Sequence, residues 1–333
     1  MKAPPITAAL TLSLTGRYER QGTEAAHAMR LWAEETDVRL ILVDDHSVKE
    51  AAVAAYSRWM DKADLLIGPY GSGLVRAVAP SVRDAGRFLW NHGGSADDLA
   101  RPGIASLPAP ASSYFDSIVD HAANERIRRL LVIRGSGPFA RAVADGARAR
   151  ACFHGMDSRT ISDSDIAGED LSAAALFVAG PFEHDAAIVR GIRERGQDPA
   201  LLAAVAAGIV AFGRELGEAA EGVVGPVQWW PQTDQPTFGP SGTEFASQYQ
   251  RRVGRQPSYT AAQAAAAGHL AYAAHNLGLD GADVLQWTTS TLLGDFALND
   301  SWQQVGHKVT AIRWHRGRMV PLSSKRAGAP GSS

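Results

Sequence analysis

Cysteine is close to absent from this chain. Cys152 is the only one among 333 residues, which excludes an intrachain disulfide, a Cys-x-x-Cys redox pair and a thiolate metal cluster. In Arg150-Ala-Cys-Phe-His154 it reads as a small buried residue. Long apolar runs are missing too. No stretch approaches the roughly twenty residues needed to span a bilayer, and Met1-Lys-Ala-Pro-Pro5 carries no apolar leader core. The expectation is therefore twofold: a cytoplasmic protein if Met1 is the native start, a periplasmic or otherwise extracytoplasmic one if a signal peptide has been removed. Excess basic charge is also lacking. Lys+Arg total 33 against 35 Asp+Glu, a formal charge of −2, which leaves no basic surface for nucleic acid. Arginine's lead over lysine is read as the composition of a GC-rich genome. The ten histidines include no pair spaced i, i+4 around a glutamate. A catalytic zinc thus has no home, and neither metal nor cofactor is expected.

Apolar residues, by contrast, are plentiful. At 45% hydrophobic and 20% charged the composition is that of a water-soluble globular protein, and the length calls for two lobes. The first half alternates strand and helix patterns: strands at 6–14, 38–43, 65–67 and 88–90, helices at 21–35, 48–60 and 74–85. A second series follows the loop Leu107-Pro-Ala-Pro-Ala-Ser-Ser113. It opens with a helix at 112–124 and has strands at 130–133, 159–161, 175–178, 201–205 and 223–230. Beyond Pro231-Gln-Thr-Asp-Gln-Pro236, read as a lobe crossing, come helices at 242–252, 259–277 and 281–293. A last strand occupies 311–314, before a polar tail from Ser323 that is expected to be disordered. Regular βαβ alternation means doubly wound parallel sheets, with ligands outside the carboxyl ends of the strands.

Two segments about twenty residues apart stand out, Gly68-Pro-Tyr-Gly-Ser-Gly-Leu74 and Asn91-His-Gly-Gly-Ser-Ala-Asp-Asp98. Each follows an apolar run and turns into a helical pattern, which places backbone N–H groups and the hydroxyls of Ser72 and Ser95 at neighbouring strand ends. Helix N-termini of this kind favour negative charge, so a ligand carboxylate is the first suspect. Serine at a helix start also caps the helix with no ligand present, and both readings stay open. Enzyme motifs fall away on inspection. His92-Gly-Gly94 has no Gly-x-Ser-x-Gly elbow to serve. Leu74-Val75 replaces the Lys-Ser/Thr of a P-loop. Arg76 stands where a dinucleotide fingerprint needs its last glycine. A hydrolase is a distant third reading.

In order and spacing, Leu14-Thr-Gly16, Val43-Asp-Asp45, Ile67-Gly-Pro-Tyr-Gly-Ser72, Gly93-Gly-Ser95 and the closing Phe296-Ala-Leu-Asn-Asp300 and Ala311-Ile-Arg-Trp314 resemble the type I periplasmic solute-binding proteins of the branched-chain amino acid and amide group. The resemblance spans roughly residues 5 to 322. It implies two α/β lobes joined by a three-strand hinge, the first lobe 1–108 with 232–295 and the second 109–231 with 296–323. It also implies a solute trapped between them, delivery to an ABC-type permease, and no catalysis. By the same resemblance Ser72, Ser95, Gly93 and Gly94 grip a carboxylate. Tyr18, Gln21 and Tyr70 line the cleft from the first lobe, and Phe139 and Phe182 close over the ligand from the second. Trp229 and Trp230 flank a proposed hinge and are read as packing. The pattern departs in one place. Amino-acid binders of this group carry an acidic residue after the strand that here reads Leu201-Leu-Ala-Ala-Val-Ala-Ala-Gly208, yet no Asp or Glu occurs between Asp198 and Glu215. An unpaired buried ammonium is costly, so an amide, a urea-like solute or an aromatic or aliphatic carboxylate fits better than an α-amino acid, unless Glu183 substitutes. The alternative from another class is a cytoplasmic ligand sensor on the same fold that regulates a partner protein.

Overall fold

Five short strands order the first part of the molecule, all but the half-exposed β2 largely buried: β1 (Thr7–Leu12), β2 (Arg39–Asp44), β3 (Leu65–Ile67), β4 (Leu89–Asn91) and β5 (Ile104–Ser106). They pair in parallel in the order β2-β1-β3-β4-β5. The computed structural model describes residues 5–322. Helices α1 (Glu19–Thr36), α2 (Lys49–Trp59) and α3 (Ser72–Asp84) connect the first four strands. The connection to β5 differs from expectation. The helix read after Ser95 is only a single 3-10 turn, Asp97–Leu99, and the chain then enters β5, a strand that three residues of pattern do not reveal.

The second series is α4 (Asp116–Asn124), β6 (Arg129–Arg134), α5 (Pro138–Phe153), β7 (Asp157–Ile161), β8 (Ala174–Ala179), α6 (Phe182–Glu194), β9 (Leu201–Ala204), α7 (Val210–Leu216) and β10 (Val224–Val227). After β10 come α8 (Gly242–Val253) and α9 (Tyr259–Leu277). The expected helix over 281–293 is cut short. Helix α10 stops at Gln286, and Thr289–Thr291 and Gly294–Phe296 form a hairpin, β11 and β12. The run Trp287-Thr-Thr-Ser-Thr291 explains the switch, since β-branched and hydroxylated residues favour extended backbone. Trp287 then packs on Trp90 and Phe296. Strand β13 (Thr310–His315) turns back into β14 (Arg318–Pro321), which the sequence reading lacked, and the second sheet runs β14-β13-β10-β9-β8-β6-β7.

Internal contacts divide the described residues into two units, one through Pro110 plus Gln228–Lys308, the other Ala111–Val227 plus residues from Val309 on. The last crossing therefore falls at 308/309, not 295/296. Residues 296–308 stay with the first unit because Phe296 packs on Trp90, Gln304 donates to the Leu107 carbonyl and His307 meets the Gln228 amide. Residues 228–231 join the first unit for a related reason. The Gln228 side chain pairs with both backbone groups of Ala109, and Trp229 donates to the Leu292 carbonyl and packs on Phe245.

Each unit has its own core. In the first, α9 lies against α1, where Gly268 meets the Trp32 ring; in the second, Phe115 packs on Phe177. Cys152 is exposed on α5 instead of buried, because the core-facing positions of that helix are Ala140, Val143, Ala144, Ala147 and Ala151. The tail expected at 324–333 lies outside the described residues. Among those residues no helix is long and apolar enough to cross a membrane.

Candidate functional site

In the first unit the chain leaves β1 for β2 on one side and returns to β3 on the other. In sheets of this kind such a reversal is where the ligand crevice forms, here at the carboxyl ends of β1 and β3. Two predicted tyrosines meet there. Tyr18, at the N-cap of α1, packs edge-on against Tyr70 with ring centroids 5.6 Å apart. The Tyr70 hydroxyl lies 2.9 Å from that of Tyr259, at the start of α9. Two glycines make this packing possible. Gly71 has φ +99°, and a side chain there would press on Tyr18. A Cβ at Gly93 would lie 2.8 Å from the Tyr70 Cα. His92 below is fully buried, and burial pushes its imidazole down to about 4. It is neutral at pH 7 and sits beside the Gly68 carbonyl without a well-aligned hydrogen bond.

The two glycine-rich turns do different things. In the second, Asn91 Oδ1 accepts the N–H groups of Gly93 (3.2 Å) and Gly94 (2.8 Å), while its Nδ2 donates to Gly94 O and Ser106 Oγ, both at 2.8 Å. Those backbone donors therefore face Asn91 and are not offered to a ligand. Ser95 precedes only the 3-10 turn and caps no α-helix. In the first turn the N-cap of α3 is Gly71, not Ser72, and it makes no side-chain cap. Ser72 Oγ instead accepts the Ala96 N–H at 3.1 Å, which joins the two turns and leaves the hydroxyl hydrogen for another acceptor. The Arg76 guanidinium grips Asp98 with two 2.7 Å bonds and holds its carboxyl below the usual range. The start of α3 presents its first N–H groups, the Ser72 hydroxyl and the dipole of a 13-residue helix, features that favour negative charge. Gln21 sits half-buried in the first turn of α1.

The second unit repeats the reversal at β6 and β8. Phe139, in the first turn of α5, packs edge-on against Tyr114 with centroids 5.2 Å apart, and Phe182 opens α6. Glu183 is exposed. The carboxylate that does reach the turn after β9 is Asp185. Fully buried, it accepts the Ala206 N–H at 3.0 Å and contacts His184 Nδ1 at 3.2 Å. Burial pushes the Asp185 carboxyl up to about 6, against the opposing pull of these bonds, and the Asp185 contact raises His184. With both oxygens engaged, Asp185 ties α6 to the β9 turn rather than facing a solute.

Sequence reasoning missed Asn91, Tyr259 and Asp185. Asparagine two residues before Gly-Gly is a readable turn signal, whereas contacts at sequence separations of 189 and 21 residues carry none.

A family model described as "Periplasmic binding protein" matches residues 5–315. No curated protein matches the sequence. Among solved structures, a putative branched-chain amino acid ABC transporter protein from Rhodospirillum rubrum superposes with a TM-score of 0.80 at 16% identity, covering 96% of this chain and 100% of its own. The branched-chain amino acid transporter substrate binding protein of Streptococcus pneumoniae, in complex with isoleucine, gives 0.75 at 16%, covering 96% and 100%. A solute binding protein of an ABC transporter from Rhodopseudomonas palustris, in complex with benzoate, gives 0.73 at 16%, covering 96% of each chain.

Proposed function

Because this chain belongs to the periplasmic binding protein family, whose members bind solutes and do not transform them, we propose that it receives a carboxylate-bearing solute without an α-ammonium group, an aromatic or aliphatic acid. The observation that carries this reading is the start of α3: the Ser72 hydroxyl and the first helix N–H groups beside a wall formed by Tyr18, Tyr70 and Tyr259. Such an arrangement pairs a carboxylate with donors and a planar or branched apolar body with rings. Benzoate, bound by one structural neighbour, fits that description, and isoleucine, bound by another, adds an ammonium. Against the ammonium stands Asp185, the carboxylate nearest the β9 turn, which is buried and fully bonded. In the second unit, Phe139 and Phe182 are the aromatic candidates for solute contact. Delivery to an ABC-type permease and a location outside the cytoplasmic membrane belong to the same reading.

The test is a calorimetric comparison of benzoate, leucine with its deaminated acid, and phenylalanine with its own. The acids are expected to bind tighter than the amino acids, and a ligand at 100 times its Kd should stabilise the protein by about 2.7 kcal/mol. Tighter binding of either amino acid, abolished by Glu183→Gln, would overturn the assignment and make Glu183 the ammonium partner.

A further inference from the structure

The turn after β2 holds two consecutive residues in the left-handed region, His46 at φ 54° and Ser47 at φ 61°. Neither is a glycine, and side-chain-bearing residues adopt this conformation only when their surroundings over-determine it. The surroundings here are two carboxylates. Asp44 Oδ1 accepts the backbone N–H groups of Leu14 (2.9 Å), Thr15 (3.3 Å) and His46 (2.8 Å), and its Oδ2 accepts the Thr15 hydroxyl at 2.8 Å. Since that hydroxyl has only one hydrogen, His46 Nδ1, 2.7 Å away, is the donor to Thr15 Oγ1. Asp45, fully buried, accepts from Ser13 Oγ (2.6 Å) and from the Ser47 N–H (2.9 Å). Every one of these bonds joins the β2 turn to itself or to the segment after β1.

The strained backbone places the Ser47 side chain against the segment after β1, where Oγ donates to the Thr15 carbonyl at 3.4 Å. It also directs the Ser47 hydroxyl at the backbone N–H of Tyr18, 3.1 Å away. Tyr18 has no side-chain cap of its own at the start of α1, and its ring is the one packed against Tyr70 at the crevice. The close fit extends to Gly16, where a Cβ would lie 2.5 Å from the His46 carbonyl oxygen.

We propose that Ser47, held in its left-handed conformation by Asp44 and Asp45, is the positioning residue for Tyr18, and that the turn stores strain in order to fix that ring where the solute's apolar body lies. The inference rests on the reading of Tyr18 as a solute contact. Its test separates positioning from simple stability. Ser47→Gly relieves the backbone and removes the hydroxyl. Its melting temperature is expected to equal or exceed that of the wild type, while Tyr18 amide exchange, normalised to β1 amides, quickens about tenfold. Benzoate affinity is expected to fall about fivefold or more by calorimetry. Ser47→Asn tolerates the conformation and restores an acceptor, so it should recover both exchange and affinity. A Ser47→Gly protein with unchanged Tyr18 exchange, or with full benzoate affinity, overturns the proposal. If the wild type binds no benzoate, the solute class falls. The exchange measurement then decides the placement of Tyr18 by itself.

Discussion

Ser72 has one observed role, the tie to Ala96, and one proposed role, solute binding, and the two can be separated. Its oxygen accepts the Ala96 N–H, while its hydrogen remains for a solute carboxylate. Ser72→Ala should therefore lower stability by about 1 kcal/mol and weaken acid binding by a further 1 to 3 kcal/mol, roughly 5- to 150-fold. Melting and benzoate titration check this together, and an earlier melt with normal binding would reduce Ser72 to a tie between turns. Asp185 gives a second single-residue test, through pH. Its folded pKa, about 6, lies above the ordinary carboxylate value, so its contribution is fully present below about pH 4 and is lost as pH rises through 6. His184, also raised, acts in the same direction at higher pH. Asp185→Asn keeps an acceptor for Ala206 and removes the buried charge. Relative to wild type the variant should gain about 1 to 2 kcal/mol between pH 4.5 and 7, read from melting temperatures across that range. A pH-independent difference would mean that the Asp185 charge is not what burial opposes.

Among the elements, α9 shows how closely this fold is packed. Its 19 residues are mostly alanine-sized, and Gly268 lets it lie directly on Trp32 of α1. A Cβ at Gly268 would lie 2.6 Å from the indole ring. Gly268→Ala gains about 1 kcal/mol of helix propensity but forces a ring fixed in the core to move, at about 1 to 3 kcal/mol or more. Denaturant melts should show a net loss; a net gain would mean that α1 yields freely. This helix was legible in full from its uniform apolar run over 259–277, as were the main parallel strands, whose buried runs and turn residues leave little choice. The rest was hidden for identifiable reasons. β5 is too short for any period to show, and β11 and β12 lay inside a stretch whose apolar residues also suit a helix. β14 has exposed, charged and apolar residues mixed. Near the candidate site, the turn around Ser72 was readable from its glycines, Tyr70 entered through the family resemblance, and Asn91 left a turn signal before Gly93-Gly94. Tyr259 and Ser47 were not readable, because each acts through a backbone direction or a distant partner that only the folded chain brings close.

Across the whole molecule the chain passes between its two units three times, at 110/111, 227/228 and 308/309. Neither unit is therefore a continuous segment. For the second unit, the continuous part ends with β10, and its sheet is then completed by β13 pairing antiparallel along Val224–Val227, with β14 outside it. The late hairpin does more than extend the edge. Trp314 donates its indole N–H to the Ala207 carbonyl at 2.8 Å and packs at a tilt against Phe212, and Gly213 approaches the same ring. Without 309–322, β10 becomes an unpaired edge with its backbone groups exposed, and Phe212 loses its cover. A fragment covering 111–227 is accordingly expected to be a loosely packed state with helical signal, dye binding and no sharp melt. Joining 309–322 to it through a short flexible linker should restore a cooperative transition, because strand and indole then return to the same chain. Circular dichroism melts of the two fragments, with Trp314→Ala in the longer one, decide the point. A sharp melt of 111–227 alone would show that the hairpin decorates the unit, whereas recovery that depends on Trp314 would make the last crossing part of its core.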